Sequence, residues 1–112
     1  MHIIYTNKKI ERYFEDYRLM KRKLPEEWVR SIKKHINRLE AADRFGDFLK
    51  LNLGHPEALI GKDIGKYSLH ISGNVRLIIV PVGEGEDVME YSVVELKGVV
   101  DYHGTKETWY IP

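Results

Sequence analysis

Gly65-Lys66-Tyr67-Ser68-Leu69-His70-Ile71-Ser72-Gly73-Asn74-Val75-Arg76-Leu77-Ile78-Ile79-Val80 reads as a β-hairpin, and this hairpin sets the fold class of the 112-residue chain. Leu69 and Ile71 alternate with Ser68, His70 and Ser72, the period of two of a strand with one buried face. Gly73-Asn74 supplies the turn, because both residue types tolerate the positive φ that a tight hairpin needs. Leu77 to Val80 is wholly apolar and rich in β-branched residues, so it belongs in the middle of a sheet. Arg76 opens that run. Its planar guanidinium matches phosphate oxygens two at a time, which makes the position a candidate anion grip.

Working outward towards the N-terminus, His2 to Tyr5 reads as a strand, and Thr6 or Asn7 as the cap of a helix expected to run to about Arg22. Ile10, Tyr13, Phe14 and Tyr17 form its apolar stripe, with Lys8, Lys9, Arg12, Glu15 and Asp16 on the other side. Pro25-Glu26-Glu27 starts a second helix, because Pro fits the first turn and acids suit the positive helix end. Val29, Ile32, Ile36 and Leu39 give its stripe, Trp28 lies close to it, and His35 is expected at its boundary. Residues 44 to 51 read as irregular or briefly helical, and Leu53-Gly54-His55-Pro56 breaks regularity before the hairpin.

Beyond the hairpin, Glu84, Glu86, Asp87 and Glu90 mark an acidic loop. Val88 to Val100 reads as one long strand bulged at Lys97-Gly98, or as two short pieces, and Thr105 to Pro112 as a tail. The expected order is β-α-α-β-β-β. This is an α+β fold in which two antiparallel N-terminal helices pack on a small, mainly antiparallel sheet, in a single domain spanning 1–112.

Composition narrows the function classes. With no cysteine, disulfides, thiolate catalysis and Cys-based zinc sites are excluded. No two histidines fall at ligand spacing on a helix, no Gly-Lys-Ser/Thr phosphate loop occurs, and no serine sits in a Gly-x-Ser-x-Gly elbow, so neither a metal nor a cofactor is expected. The N-terminus reads as neither a signal peptide nor a membrane span, so the expectation is a cytoplasmic protein. Residues 1 to 44 hold 12 Lys and Arg against 7 Asp and Glu, while residues 45 to 112 hold 6 against 10. A basic N-terminal half fits either a solvated helix face or an anionic partner.

The topology brings residues 66 to 70, Arg76 and Asp101-Tyr102-His103 to neighbouring strands, from which they can converge on one face of the sheet. Such a set suits RNA cleavage by the neighbouring 2′-hydroxyl, which needs a base, an acid and a cation. His103 exchanges protons near neutral pH, Arg76 supplies fixed charge, and Tyr102 or Tyr67 can stack on a base. Each residue also has a purely structural reading. Arg76 can pair with Asp101 or Glu95, Tyr67 can belong to the core, and Lys62, Lys66 and His70 can be solvated surface groups.

Three segments carry a family resemblance: Leu59-Ile60-Gly61 leading to Gly65-Lys66-Tyr67-Ser68, Gly73-Asn74-Val75-Arg76-Leu77-Ile78, and Val99-Val100-Asp101-Tyr102-His103-Gly104. In this order behind two helices, the chain resembles the HigB branch of the RelE/ParE superfamily of bacterial type II toxins over nearly its whole length. The resemblance implies a metal-independent endoribonuclease that cuts messenger RNA on the ribosome. It also implies silencing by a HigA-like helix-turn-helix antitoxin, with oligomers formed only through that complex. Carried over by position, Arg76 would stabilise phosphate charge, and Asp101, Tyr102 and His103 would orient RNA and move protons. Lys62, Lys66, Tyr67 and His70 would contact the RNA. The family pattern is broken where Glu57 and Ile60 replace a frequent His and Lys, with His55, Lys62 and Lys66 as substitutes, and where His70 replaces a frequent Arg. These departures motivate the alternative, a non-catalytic module of the same fold: a gyrase-type inhibitor or an inactive toxin held in an antitoxin complex.

Overall fold

The computed structural model describes residues 1–112. Strand β1 (His2–Tyr5) leads into helices α1 (Lys8–Glu15), α2 (Tyr17–Lys23), α3 (Glu26–Ala41) and α4 (Phe45–Lys50). Strands β2 (Glu57–Ala58), β3 (Tyr67–Ser72), β4 (Val75–Val82), β5 (Val93–His103) and β6 (Lys106–Ile111) follow. Across the sheet the order is β1-β5-β4-β3-β2, with β6 on the same side of β5 as β1 but further along it. Only β1 and β5 run parallel, and the other pairings are antiparallel. The α+β class therefore stands as expected, with more elements than the sequence suggested.

The first expected helix is two. Asp16 takes an extended conformation that ends α1, and its carboxylate then accepts hydrogen bonds from the amides of Arg18 (3.1 Å) and Leu19 (3.3 Å) to begin α2. Aspartate is a poor helix interior residue and a good N-cap, so an otherwise continuous apolar stripe breaks there. Asn7, not Thr6, caps α1, accepting from the Ile10 amide at 2.9 Å. Val88–Glu90 forms a 3-10 turn capped by Asp87, so β5 starts at Val93 rather than Val88. The expected tail pairs with β5 as a sixth strand.

Gly73 holds the positive φ of the hairpin turn (46°) while Asn74 does not, so one glycine at the first central position suffices. The bulge expected at Lys97-Gly98 is present, since Ile78 pairs with Gly98 and Ile79 with Leu96, which leaves Lys97 unmatched. Gly98 has φ 132°, and a Cβ there would lie 1.9 Å from the Ile111 carbonyl oxygen, so glycine is required where β6 crosses close to β5.

Alternation along these strands gives the sheet two unlike faces. Leu69, Ile71, Val75, Leu77, Ile79, Leu96 and Val99 join Ile10, Phe14, Val29, Ile32 and Leu39 from the helices in one core. Ser68, Ile78 and Val100 are buried but stand apart from that core, on the outer face. The segment between β2 and β3 bends over this outer face. Lys62 within it reaches Glu107 on β6 (3.5 Å), although β5, β4 and β3 separate the two strands it joins.

Candidate functional site

Arg76 lies on the outer face of β4, directly opposite His70 on β3 and Val100 on β5. Its Nη1 donates to the carbonyls of Gly73 (2.6 Å) and Val75 (3.0 Å), which turns the guanidinium back towards the hairpin turn. It has no carboxylate partner. Glu95 is occupied by Thr6 (2.6 Å) and Lys97 (3.3 Å), and Asp101 projects to the other face of the sheet. The structural reading of Arg76 as half of a cross-sheet ion pair is therefore set aside.

His70 lies beside this cation, and His55 stands next to His70, their ring centroids 6.2 Å apart. Burial, then the Arg76 charge, then His55 hold the His70 imidazole below its ordinary pKa of 6.5, so it is neutral at physiological pH. Tyr102 shares the outer face, and burial together with Glu107 and Asp63 raises its phenol above 10.0. It is a neutral ring in this setting.

The convergence of Arg76, Asp101, Tyr102 and His103 on one face does not occur. Strand alternation sends Arg76 and Tyr102 outward and Asp101 and His103 to the helix side, so the four meet only at the end of the sheet, around the hairpin turn. There His103 Nε2 lies 3.2 Å from Asp101 Oδ1, but off the line of a hydrogen bond, leaving that buried oxygen otherwise unpartnered. Tyr110 donates to Asp101 Oδ2 at 3.4 Å. Asn74 Nδ2 stands 3.5 Å from His103 Nδ1, and the Tyr102 amide donates to the Asn74 carbonyl at 3.1 Å. Asn74, chosen in the sequence only as a turn former, thus links the hairpin to the last residues of β5.

Among the other candidates, Tyr67 is corrected. Its side chain packs edge-on against Phe45 (4.7 Å between ring centroids) on the helix side, where no base can stack on it. Alternation explains this, because Tyr67 is two residues from the core residue Leu69. Lys66 pairs with Asp63 (3.1 Å) and Lys62 with Glu107 (3.5 Å). His35, expected at a stripe boundary, is 1% exposed. It follows Ile32 by three residues and so falls on the buried face of α3. No group of three or more His, Asp or Glu side chains is placed to hold a metal ion. No helix is long and apolar enough to cross a membrane.

The architecture, helices on one face of a mainly antiparallel sheet, is consistent with a RelE/ParE-like toxin fold. Among solved structures the chain is similar to a YoeB/ParE toxin from Agrobacterium tumefaciens, with a TM-score of 0.58 and 21% identity, over 92% of this chain and 100% of that one. At that identity the likeness is one of fold. No protein-family profile and no curated protein matches the chain.

Proposed function

We propose that the chain is the toxin of a type II toxin–antitoxin pair of the HigB kind, a ribosome-dependent endoribonuclease of messenger RNA that needs no metal. One observation carries this reading: Arg76 is tethered by two main-chain carbonyls, free of any carboxylate, and lies directly opposite a neutral His70 on the outer face. A fixed cation beside one imidazole, with a second imidazole at the hairpin end of the sheet, offers the three groups that cleavage by a 2′-hydroxyl requires. His70 accepts the 2′-hydroxyl proton as the oxygen attacks the adjacent phosphorus, and Arg76 neutralises the phosphorane. His103, beside Asp101, delivers a proton to the departing 5′ oxygen. The products are a 2′,3′-cyclic phosphate and a 5′-hydroxyl. Tyr102 offers a ring for a flanking base, and Lys62 and Lys66 offer charge to the backbone.

The fold likeness to a YoeB/ParE toxin supports the toxin reading, and with it a cytoplasmic location and an antitoxin of the HigA-like helix-turn-helix kind as partner. The test is cleavage of a defined message on purified ribosomes, with DNA supercoiling by gyrase assayed in parallel. Cleavage within the reading frame by the wild type, lost in Arg76→Ala, is the expected result. Gyrase inhibition without cleavage, or growth unaffected by accumulation of folded protein, overturns it.

A further inference from the structure

His35 belongs to the core, yet its ring ends on the strand that carries the candidate site. Strand β2 pairs with β3 only at Tyr67 and Ser68, so from Leu69 onward β3 is an edge with unpaired main-chain groups. At His70 both edge groups are nonetheless satisfied. The His70 amide donates to the Gly54 carbonyl at 2.9 Å, and the His70 carbonyl lies 2.7 Å from His35 Nε2. A carbonyl only accepts, so His35 carries its proton on Nε2. Ser31 Oγ stands at 3.5 Å from the same carbonyl.

The other side of the ring fixes the loop. Gly54 has φ 74°, and a Cβ there would fall 2.2 Å from His35 Cε1 and 2.7 Å from Nδ1, so the loop backbone lies directly on the imidazole. Nδ1 has no hydrogen-bond partner and is occupied by this packing alone. The next residue, His55, takes a left-handed φ of 49°, uncommon for a non-glycine residue, and its ring faces that of His70. One buried imidazole therefore abuts both backbone segments from which His70 and His55 project.

We propose that His35 is a positioning residue: acting from the helix side of the sheet, it holds the main chain of residues 54–55 and 70 so that His70 stands opposite Arg76 with the His55 ring next to it. It touches no substrate. A hydrophobic side chain of similar volume fills the core equally well but leaves the His70 carbonyl with only the long Ser31 contact, at an edge that β2 does not reach, so β3 is loosened just where the site needs it fixed. The proposal rests on the outer face being the cleavage site only for its kinetic arm. Its spectroscopic arm stands apart from that reading.

The experiment compares wild type with His35→Leu and His35→Gln, whose amide nitrogen reaches the Nε2 position. Imidazole carbon–proton NMR correlations of His55 and His70 are followed across pH, beside single-turnover cleavage on programmed ribosomes. In His35→Leu the His70 titration moves up towards its ordinary value as burial and the Arg76 contact loosen, and the His55 resonance shifts with it. Cleavage in the same variant slows by up to ~100-fold in kcat with KM little changed, the loss expected from displacing a reacting group by about 1 Å. His35→Gln restores both. Should His35→Leu not fold, His35→Asn serves instead, its amide ending short of the His70 carbonyl. Unchanged His55 and His70 signals in a folded donor-less variant overturn the proposal, as does failure of Gln to restore them. If the signals move and Gln restores them while wild type cleaves nothing, the positioning role holds and the cleavage reading falls.

Discussion

The two faces of strands β3 and β4 are built from alternate residues of the same sixteen-residue hairpin, and they obey different rules. On the helix side, Leu69, Leu77 and Ile79 are fully buried among apolar neighbours, where shape and volume decide what is tolerated. On the outer side, His70 and Arg76 stand opposite one another with lowered imidazole basicity and an unneutralised guanidinium. The Arg76 charge disfavours the protonated form of His70 and the neutral ring offers the guanidinium no counter-charge, so this juxtaposition does not serve stability. A single alternating sequence thus divides into a half that makes the fold and a half whose chemistry the fold only holds in place.

The sharpest way to break that division is to exchange the expected consequences of two adjacent residues. Leu77→Ala empties a fully buried site and should lower unfolding free energy by about 2 to 5 kcal/mol, read from the urea midpoint at constant slope. Arg76→Ala removes two hydrogen bonds to carbonyls at a partly exposed site and should change stability by about 1 kcal/mol or less. Cleavage by that variant should fall by about 100-fold to 1,000-fold, the effect of removing a preorganised charge from a developing anion. If Arg76→Ala unfolds as readily as Leu77→Ala, the outer face is structural after all.

Acid separates the faces more gently. His35 is held below 6.5 chiefly by burial, with the Arg38 charge on its own helix and His70 on β3 acting the same way, while its bond to the His70 carbonyl opposes them. His70 is held below 6.5 as well. The unfolded chain binds these protons more readily than the folded one. Stability is therefore complete above 6.5 and is lost as pH falls through the folded values. Glu95, held below 4.5 mainly by the Thr6 hydroxyl, adds a second loss below 4.5. Urea midpoints on either side of 6.5 should fall for wild type and fall less for His35→Gln, whereas the loss below 4.5 should be common to both.

How far the sequence announces all this depends on the range of the interactions. The hairpin turn, the bulge at Gly98 and the stripes of α1 and α3 are local patterns, and each is legible in a few consecutive residues. The break at Asp16 is local too, but a continuous apolar stripe from Ile10 to Tyr17 masks it, and the capping preference of one carboxylate prevails. The site is less legible because two of its relations are not local. Whether Tyr67 faces a base or Phe45 depends on which face α4 covers. Whether Asp101 and Arg76 pair depends on the parity of two strands in register, and here Asp101 lies opposite Val75, one residue out of step with Arg76. His35 becomes readable only once β2 is seen to stop at Ser68, leaving His70 at an edge.

The smallest effect tests the outer face at its rim. Lys62 is 79% exposed and meets Glu107 at 3.5 Å, so their pairing contributes about 1 kcal/mol or less and Lys62→Ala should scarcely alter stability. If the lysine serves only to strap the segment before β3 across the sheet, removing either partner loosens the strap, and Lys62→Ala and Glu107→Gln should weaken RNA binding alike. If its charge meets RNA phosphate, the two substitutions act in opposite directions. Lys62→Ala then weakens binding equally for all sequences and reduces the salt slope by about 1, while Glu107→Gln frees the ammonium and strengthens binding. Opposed signs are the expected outcome, because Glu107 also lies opposite Tyr102 across β5 and β6, and neutralising it makes the rim more attractive to an anion at both residues.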